Sequence, residues 1–185
     1  MFPRAMTVDD LLVHVFSYYR SAELHGASLI LRLLGRMPED GAAQVHLTRH
    51  AAEELRHAWL WTQRIVAMGT TPVPVTLGYQ ERLGLRLRPR GIAELLALSI
   101  LVERRSLERY QSHAARDDVD PQTLKVLRVV VADEGWHVEW LTKKLAELPL
   151  GADERHRLDS ATQRFRIVEQ EVFDALVGME RQAFG

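Results

Sequence analysis

Apolar residues recur along most of this chain at the 3.6-residue period of amphipathic helices, with no competing strand alternation. Thr7 reads as an N-cap, with Asp9 and Asp10 in the first turn, where the helix dipole favours acids. The helix that follows runs from about Val8 to Leu34, closed by Gly35, with Leu12, Phe16, Tyr19, Glu23, Gly26, Ala27, Ile30 and Leu34 on its buried face. Asp40 caps a second helix, about Gly41 to Met68, ended by Gly69. Its stripe is Leu47, Ala51, Glu54, Ala58, Trp61, Ile65 and Met68, with His57 on the shoulder. A third helix spans about Gly91 to Arg116 and buries Ile92, Leu96, Ser99, Ile100, Glu103, Leu107, Tyr110 and Ala114. Asp120-Pro121 is a strong start signal for a fourth, reaching Leu148 along Leu124, Leu127, Val131, Glu134, Val138 and Leu141. Asp153 to about Met179 forms a fifth, with Leu158, Phe165, Val168, Val172, Ala175 and Leu176 on one side.

Residues 69–90 break this rhythm. Thr70-Thr71-Pro72-Val73-Pro74 disfavours helix, and Gly78 and Gly84 follow. So long a connection is explained if it spans the length of a bundle, letting the next helix start at the opposite end. The fold expected is all-α: a bundle over residues 1–150, made of two helical hairpins joined by a long crossover between the second and third long helices. Residues 151–185 add a C-terminal helix packing on that bundle.

Composition narrows the chemistry. With 185 residues and 46% hydrophobic side chains there is material for one sizeable core. A net charge of −1 gives no electrostatic reason to expect nucleic acid as a partner. The absence of cysteine excludes disulfides, iron–sulfur clusters and thiolate metal sites in this chain. Met1 to Asp10 lacks a signal-peptide pattern, and the most apolar stretch, Ile92 to Val102, contains Glu94 and is too short to span a bilayer. A soluble cytoplasmic protein is the expectation.

The acids on the apolar stripes carry the functional signal. Glu54-Leu55-Arg56-His57 and Glu134-Gly135-Trp136-His137 are both Glu-x-x-His, which puts the two side chains on one helix face, one turn apart. Each has a second carboxylate just before the Glu, Glu53 and Asp133. Each also has an isolated upstream Glu at the same offset: Glu23 is 31 residues before Glu54, and Glu103 is 31 before Glu134. Four carboxylates and two imidazoles in two equal halves are a ligand set for two metal ions. The bland alternative, buried Glu and His satisfied by one another, would bury four carboxylates together at high cost.

This pattern, one Glu from each of two helices and Glu-x-x-His from each of two others, resembles the ferritin-like di-iron carboxylate bundles, and most of all the bacterioferritin and rubrerythrin group. The resemblance covers about Val8 to Leu148 and rests on Glu23, Glu54, His57, Glu103, Glu134 and His137. It implies that Glu54 and Glu134 bridge two ions, with Glu23 and His57 completing one site and Glu103 and His137 the other. Iron suits such ligands, with manganese the alternative. The resemblance also implies that Glu53 and Asp133 reach across the pseudo-twofold axis to His137 and His57 as outer partners; a solvated acid is the competing reading for each. Tyr19, one turn before Glu23, either donates to a ligand, takes part in radical transfer, or is simply satisfied in the core. Tyr110 reads as structural. Gly26 and Ala27 either open a cavity beside the first metal or allow close helix packing. His14, His25, His46, His50, His113 and His156 match no ligand spacing and read as surface or capping residues.

The implied function is a non-haem di-iron oxidoreductase acting on O2 or peroxide, with a small organic substrate and an external electron donor as further partners and a homodimer compatible with the pattern. Two departures narrow the resemblance. Ser106 stands where rubrerythrins carry an additional ligand Glu, and Leu55 follows Glu54 where a haem-binding Met would be needed, so no haem is expected. Ferroxidase activity in an iron-storage shell is the second reading, and a non-catalytic helical metal-binding or interaction module the third.

Overall fold

The computed structural model describes residues 7–184, and only the backbone of Val8 and of residues 178–184. It is all-helical, with no strand among the described residues. The elements are α1 (Val8–Leu34), α2 (Gly41–Ala67), α3 (Tyr79–Arg86), α4 (Gly91–Ala114), α5 (Pro121–Ala146) and α6 (Ala152–Phe184). The caps form as the sequence implies. Thr7 and Asp10 make a reciprocal capping box. Asp40 accepts from the Ala43 N–H at 2.9 Å. Asp120 accepts from the N–H groups of Gln122 and Thr123, both at 3.0 Å, with Pro121 at the first helical position. Gly69, with φ +80°, takes the left-handed conformation just beyond α2 that only glycine adopts cheaply.

α1 packs chiefly on α2 and α4 on α5, so the chain builds two hairpins, which meet through α2 with α5 and α1 with α4. The connection runs along α1: the Val73 N–H donates to Ser17 Oγ (3.0 Å) and Gln80 Nε2 to the Ala22 carbonyl (3.1 Å). This ferritin-like four-helix arrangement has two apolar plugs. Ile30, Leu33, Leu47, Leu96 and Leu141 fill one end. Phe16, Trp61, Ile65, Tyr110 and Leu127 fill the other. Between them, at the level of Glu23, Glu54, Glu103 and Glu134, lies a buried polar layer.

The short helix α3 was not expected from the sequence, where Gly78 and Gly84 suggest a loop. Eight residues are too few to be helical on their own. Burial holds α3 instead: Tyr79, Leu83 and Leu87 pack with Leu98 and Val102 of α4 and with Ala161, Phe165 and Val172 of α6. A buried acid ties the three helices together. Glu169 on α6 accepts from the Tyr79 hydroxyl (2.7 Å) and takes a two-pronged contact from Arg105 (2.7 and 2.9 Å). α6 therefore lies against α3 and α4, with Phe165, Val172 and Leu176 inward as expected, while Ala175 is exposed.

Candidate metal centre

Each of the four long bundle helices contributes one glutamate to the polar layer, and Glu23, Glu54, Glu103 and Glu134 are all 3% exposed or less. His57 and His137 sit one turn beyond Glu54 and Glu134 and are fully buried. Each imidazole points Nδ1 into the layer. His57 Nδ1 lies 3.2 Å from Glu23 Oε2 and 3.5 Å from Glu134 Oε1. His137 Nδ1 lies 3.4 Å from Glu54 Oε1 and 3.7 Å from Glu134 Oε2.

The opposite nitrogens face outward and cross between hairpins. His57 Nε2 is 2.9 Å from Asp133 Oδ2, and His137 Nε2 is 3.1 Å from Glu53 Oε2. With Nε2–H donating outward, Nδ1 is the nitrogen left to face a cation, the arrangement that orients histidine ligands in metal proteins. The outer acids are held in turn by arginines: Arg49 Nε donates to Glu53 at 2.8 Å, and Arg56 pairs with Asp133.

A cation would satisfy groups that nothing else satisfies. Glu54 Oε1, Glu134 Oε2, His137 Nδ1 and His50 Nε2 are buried without a hydrogen-bond partner, which is costly for polar atoms in a core. Donor atoms from Glu23, Glu54, His57 and Glu134 lie within 4.8 Å of one another, as do donor atoms from His50, Glu54, Glu103 and His137. Glu54 belongs to both groups, as a bridging ligand would. Burial, and then the charges of Glu103, Glu23 and Glu134, push the Glu54 carboxyl well above the usual carboxylate range. Burial opposes charge on His57, but hydrogen bonds and charges from Glu134 and Glu23 outweigh it and push this imidazole up to about 11. The layer carries more negative charge than its own residues neutralise comfortably. Its oxygen and imidazole donors, without thiolate, fit hard or borderline divalent cations.

The chain shares its fold with "Protein 43 with aldehyde deformylating oxygenase activity from Synechococcus". The TM-score is 0.70 at 23% identity, over 87% of this chain and 80% of that one. No protein-family model and no curated protein matches the chain.

Several residues around the layer differ from their sequence readings. His50, read as a surface or capping residue, is fully buried and borders the Glu54–Glu103 pair. The signal was present: His50 falls on the same stripe as Leu47, Glu54 and His57. The Tyr19 hydroxyl lies 3.1 Å from His113 Nδ1. His113 is half-buried there, not a surface residue. The phenol that donates into the polar layer is Tyr110, to Glu23 Oε1 across the hairpins. Burial, followed by the charges of Glu23 and Glu134, holds the Tyr110 hydroxyl well above its ordinary pKa, so it remains a donor. Gly26 and Ala27 are both buried, and a Cβ on Gly26 would stand 2.2 Å from Glu54 Oε2, so the missing side chain is the seat of that carboxylate and not open space.

Space exists elsewhere. A void of about 20 Å³ lies among Ala22, Ser106, Tyr19 and Tyr110, about the room one small molecule needs. Beyond Tyr19, an open cleft of about 800 Å³ is lined by Phe16, Tyr19, Arg109, His113 and Phe173 among others. Tyr19 meets Tyr110 edge-on, with ring centroids 4.9 Å apart, so one pair of rings separates the cleft from Glu23.

Proposed function

We propose that this chain is a non-haem di-iron oxidoreductase that uses O2 or peroxide, with Glu23, Glu54, Glu103, Glu134, His57 and His137 as its metal ligands. The observation that carries this reading is the buried layer of inward-facing donors, several of them without a hydrogen-bond partner, clamped from outside by Asp133 and Glu53. Glu54 and Glu134 would be the ligands shared between the ions, with Glu23 and His57 holding one and Glu103 and His137 the other. Two bound iron ions supply the electrons and open coordination positions for reaction with an oxidant. The chain's own residues fix the ligands, exclude bulk water through the two apolar plugs, and hold the Tyr110 proton against Glu23. The activity carried in the name of the Synechococcus protein supports an oxygen-using class for this fold; it leaves the substrate open.

Two features favour an oxidoreductase over iron storage. The cleft at Tyr19 is large enough for an organic substrate or the edge of an electron donor, and the Tyr19–Tyr110 pair connects it to a ligand. The small void beside Ser106 offers a small oxidant a place next to the same phenol. No helix among the described residues is long and apolar enough to cross a membrane, and a cytoplasmic location belongs to this reading. Val45, Leu55, Trp59 and Val66 form an exposed apolar stripe on the outer face of α2, which supports a homodimer through that face.

The test is direct. Protein loaded anaerobically with two equivalents of ferrous iron and mixed with O2 or hydrogen peroxide should consume the oxidant and gain near-ultraviolet ligand-to-metal absorption. A colourless protein that consumes nothing would reduce the layer to a structural metal site. Size-exclusion chromatography distinguishes storage, since a shell elutes as a very large particle.

A further inference from the structure

The internal repeat makes the two halves of the centre look equivalent, and the structure shows that they are not. Four residues before the bridging Glu54 stands His50; four residues before Glu134 stands Val130. Both are fully buried. His50 Nε2 lies 3.4 Å from Glu54 Oε1 and 3.4 Å from Glu103 Oε1, yet makes a hydrogen bond to neither, and its Nδ1 has no partner. Its ring stacks on His137, with centroids 3.5 Å apart and planes 22° apart. A neutral imidazole buried with both nitrogens idle is expensive.

The geometry points to His50 as a further metal ligand, binding through Nε2 the cation held by Glu54, Glu103 and His137, so that one ion has two imidazoles and the other has one. This rests on the di-metal reading above. Donor atoms about 2.1 Å from a shared cation stand about 3.0 Å apart at octahedral angles and about 3.4 Å apart at tetrahedral ones. The observed separations of His50 from the two glutamate oxygens match such an edge. At the other end Val130 offers no donor, and Glu23 is met instead by the Tyr110 hydroxyl. Tyr110 has its own counterpart in the repeat: it lies seven residues past Glu103, where Ile30 lies seven past Glu23. Both departures therefore push the same way. The Glu103 end is richer in nitrogen donors, and the Glu23 end is set for proton and oxidant chemistry beside Tyr110 and the Ser106 void. Softer imidazole donors favour later divalent metals at the Glu103 end, so the two positions bind with different affinities.

Two measurements on the metal-free full chain test this without reference to turnover. First, wild type and His50→Leu are titrated anaerobically with Co(II), by calorimetry and by the visible absorption of the ion. Wild type should bind two ions with separable affinities. His50→Leu should keep one site unchanged, weaken the other at least tenfold, and alter the absorption added by that ion alone. Second, wild type labelled with 15N-histidine is titrated with Zn(II). Three buried histidines should each show one nitrogen resonance moving to a metal-coordinated position, which reads the ligand directly even if His50→Leu folds poorly. Two ions bound by both proteins with unaltered affinities, or only two coordinated histidines in the zinc titration, would overturn the assignment and leave the di-metal centre standing with His50 as a neighbour. No binding of either ion by wild type would remove the di-metal reading itself.

Discussion

His57 Nε2 lies 2.9 Å from Asp133 Oδ2, a carboxylate carried not by its own helix but by α5 of the other hairpin. The contact fixes the imidazole so that Nδ1 faces Glu23 and Glu134 in the polar layer. Asp133→Asn should keep the fold and weaken binding of the nearer cation by about ten- to a hundredfold, the usual cost of losing such a partner. Metal titration by calorimetry, with circular dichroism to check the helices, measures it. Unchanged affinity would return Asp133 to the role of a surface acid paired with Arg56.

Glu54 separates metal binding from stability. It is buried among three other carboxylates, and its own carboxyl is held well above the usual range by burial and their charge. Glu54→Gln removes that repulsion while spoiling the bridge. The metal-free variant should therefore melt higher than wild type, by about 2–4 °C for each kcal/mol relieved in a domain of this size, and bind both ions more weakly. Glu23→Gln should affect mainly one. Equal, mild losses from both substitutions would contradict the bridging assignment.

Gly26→Ala should separate the stability of the metal-free chain from its metal binding. Alanine raises helix propensity by about 1 kcal/mol, but its Cβ would collide with the Glu54 carboxylate. That carboxylate is the end of a flexible side chain and can move, so the helix survives while the bridge is displaced. A metal-free protein of equal or greater stability with at least tenfold weaker metal binding is the expected result. Unimpaired binding would show that Glu54 has room elsewhere.

Metal affinity should rise with pH. Before a cation binds, His57 has its proton affinity raised to about 11 and Glu54 is also held high. Both must lose protons to become ligands. At neutral pH, loading should release protons, detectable as calorimetric heats that depend on buffer ionisation enthalpy. Apparent affinity should fall steadily from pH 8 to pH 6, and a flat profile would contradict the protonation states described.

The Glu169 network should matter for stability and not for metal. Its carboxylate is 2% exposed and pairs with both Tyr79 and Arg105. Glu169→Leu leaves Arg105 without its main partner and should cost about 3–5 kcal/mol, read by denaturant unfolding. Metal stoichiometry should stay at the wild-type value.

The buried layer of glutamates and histidines could be read in the sequence because its signal is local and repeated: an acid on an apolar stripe, a histidine one turn on, and the same offset of 31 residues in each half. The helix starts were equally readable, since Thr7, Asp40 and Asp120 act on N–H groups two or three residues away. What escaped is non-local or breaks the repeat. Tyr110 lies two turns past Glu103 and looks structural on its own helix, but it meets Glu23 of the other hairpin. His50 has no echo at Val130, so a search for symmetry passes over it. Gly26 reads as space until the Glu54 carboxylate is placed against it. Helix α3 exists only because α4 and α6 cover it.

The polar layer also sets where the molecule is weakest. α1 with α2, and α4 with α5, are joined by long apolar seams, whereas the two hairpins face each other at mid-height through carboxylates. Without cations that plane holds four buried carboxylates against their imidazole partners between the two hairpins, tethered by the α3 crossover and pinned by the Asp133 and Glu53 contacts. Breathing of the metal-free chain should begin there, with the hairpins parting as units and the amides around Glu23, Glu54, Glu103 and Glu134 exchanging with solvent together. Two divalent ions would close the plane like rivets, and slowed exchange should spread outward from it along all four helices at once.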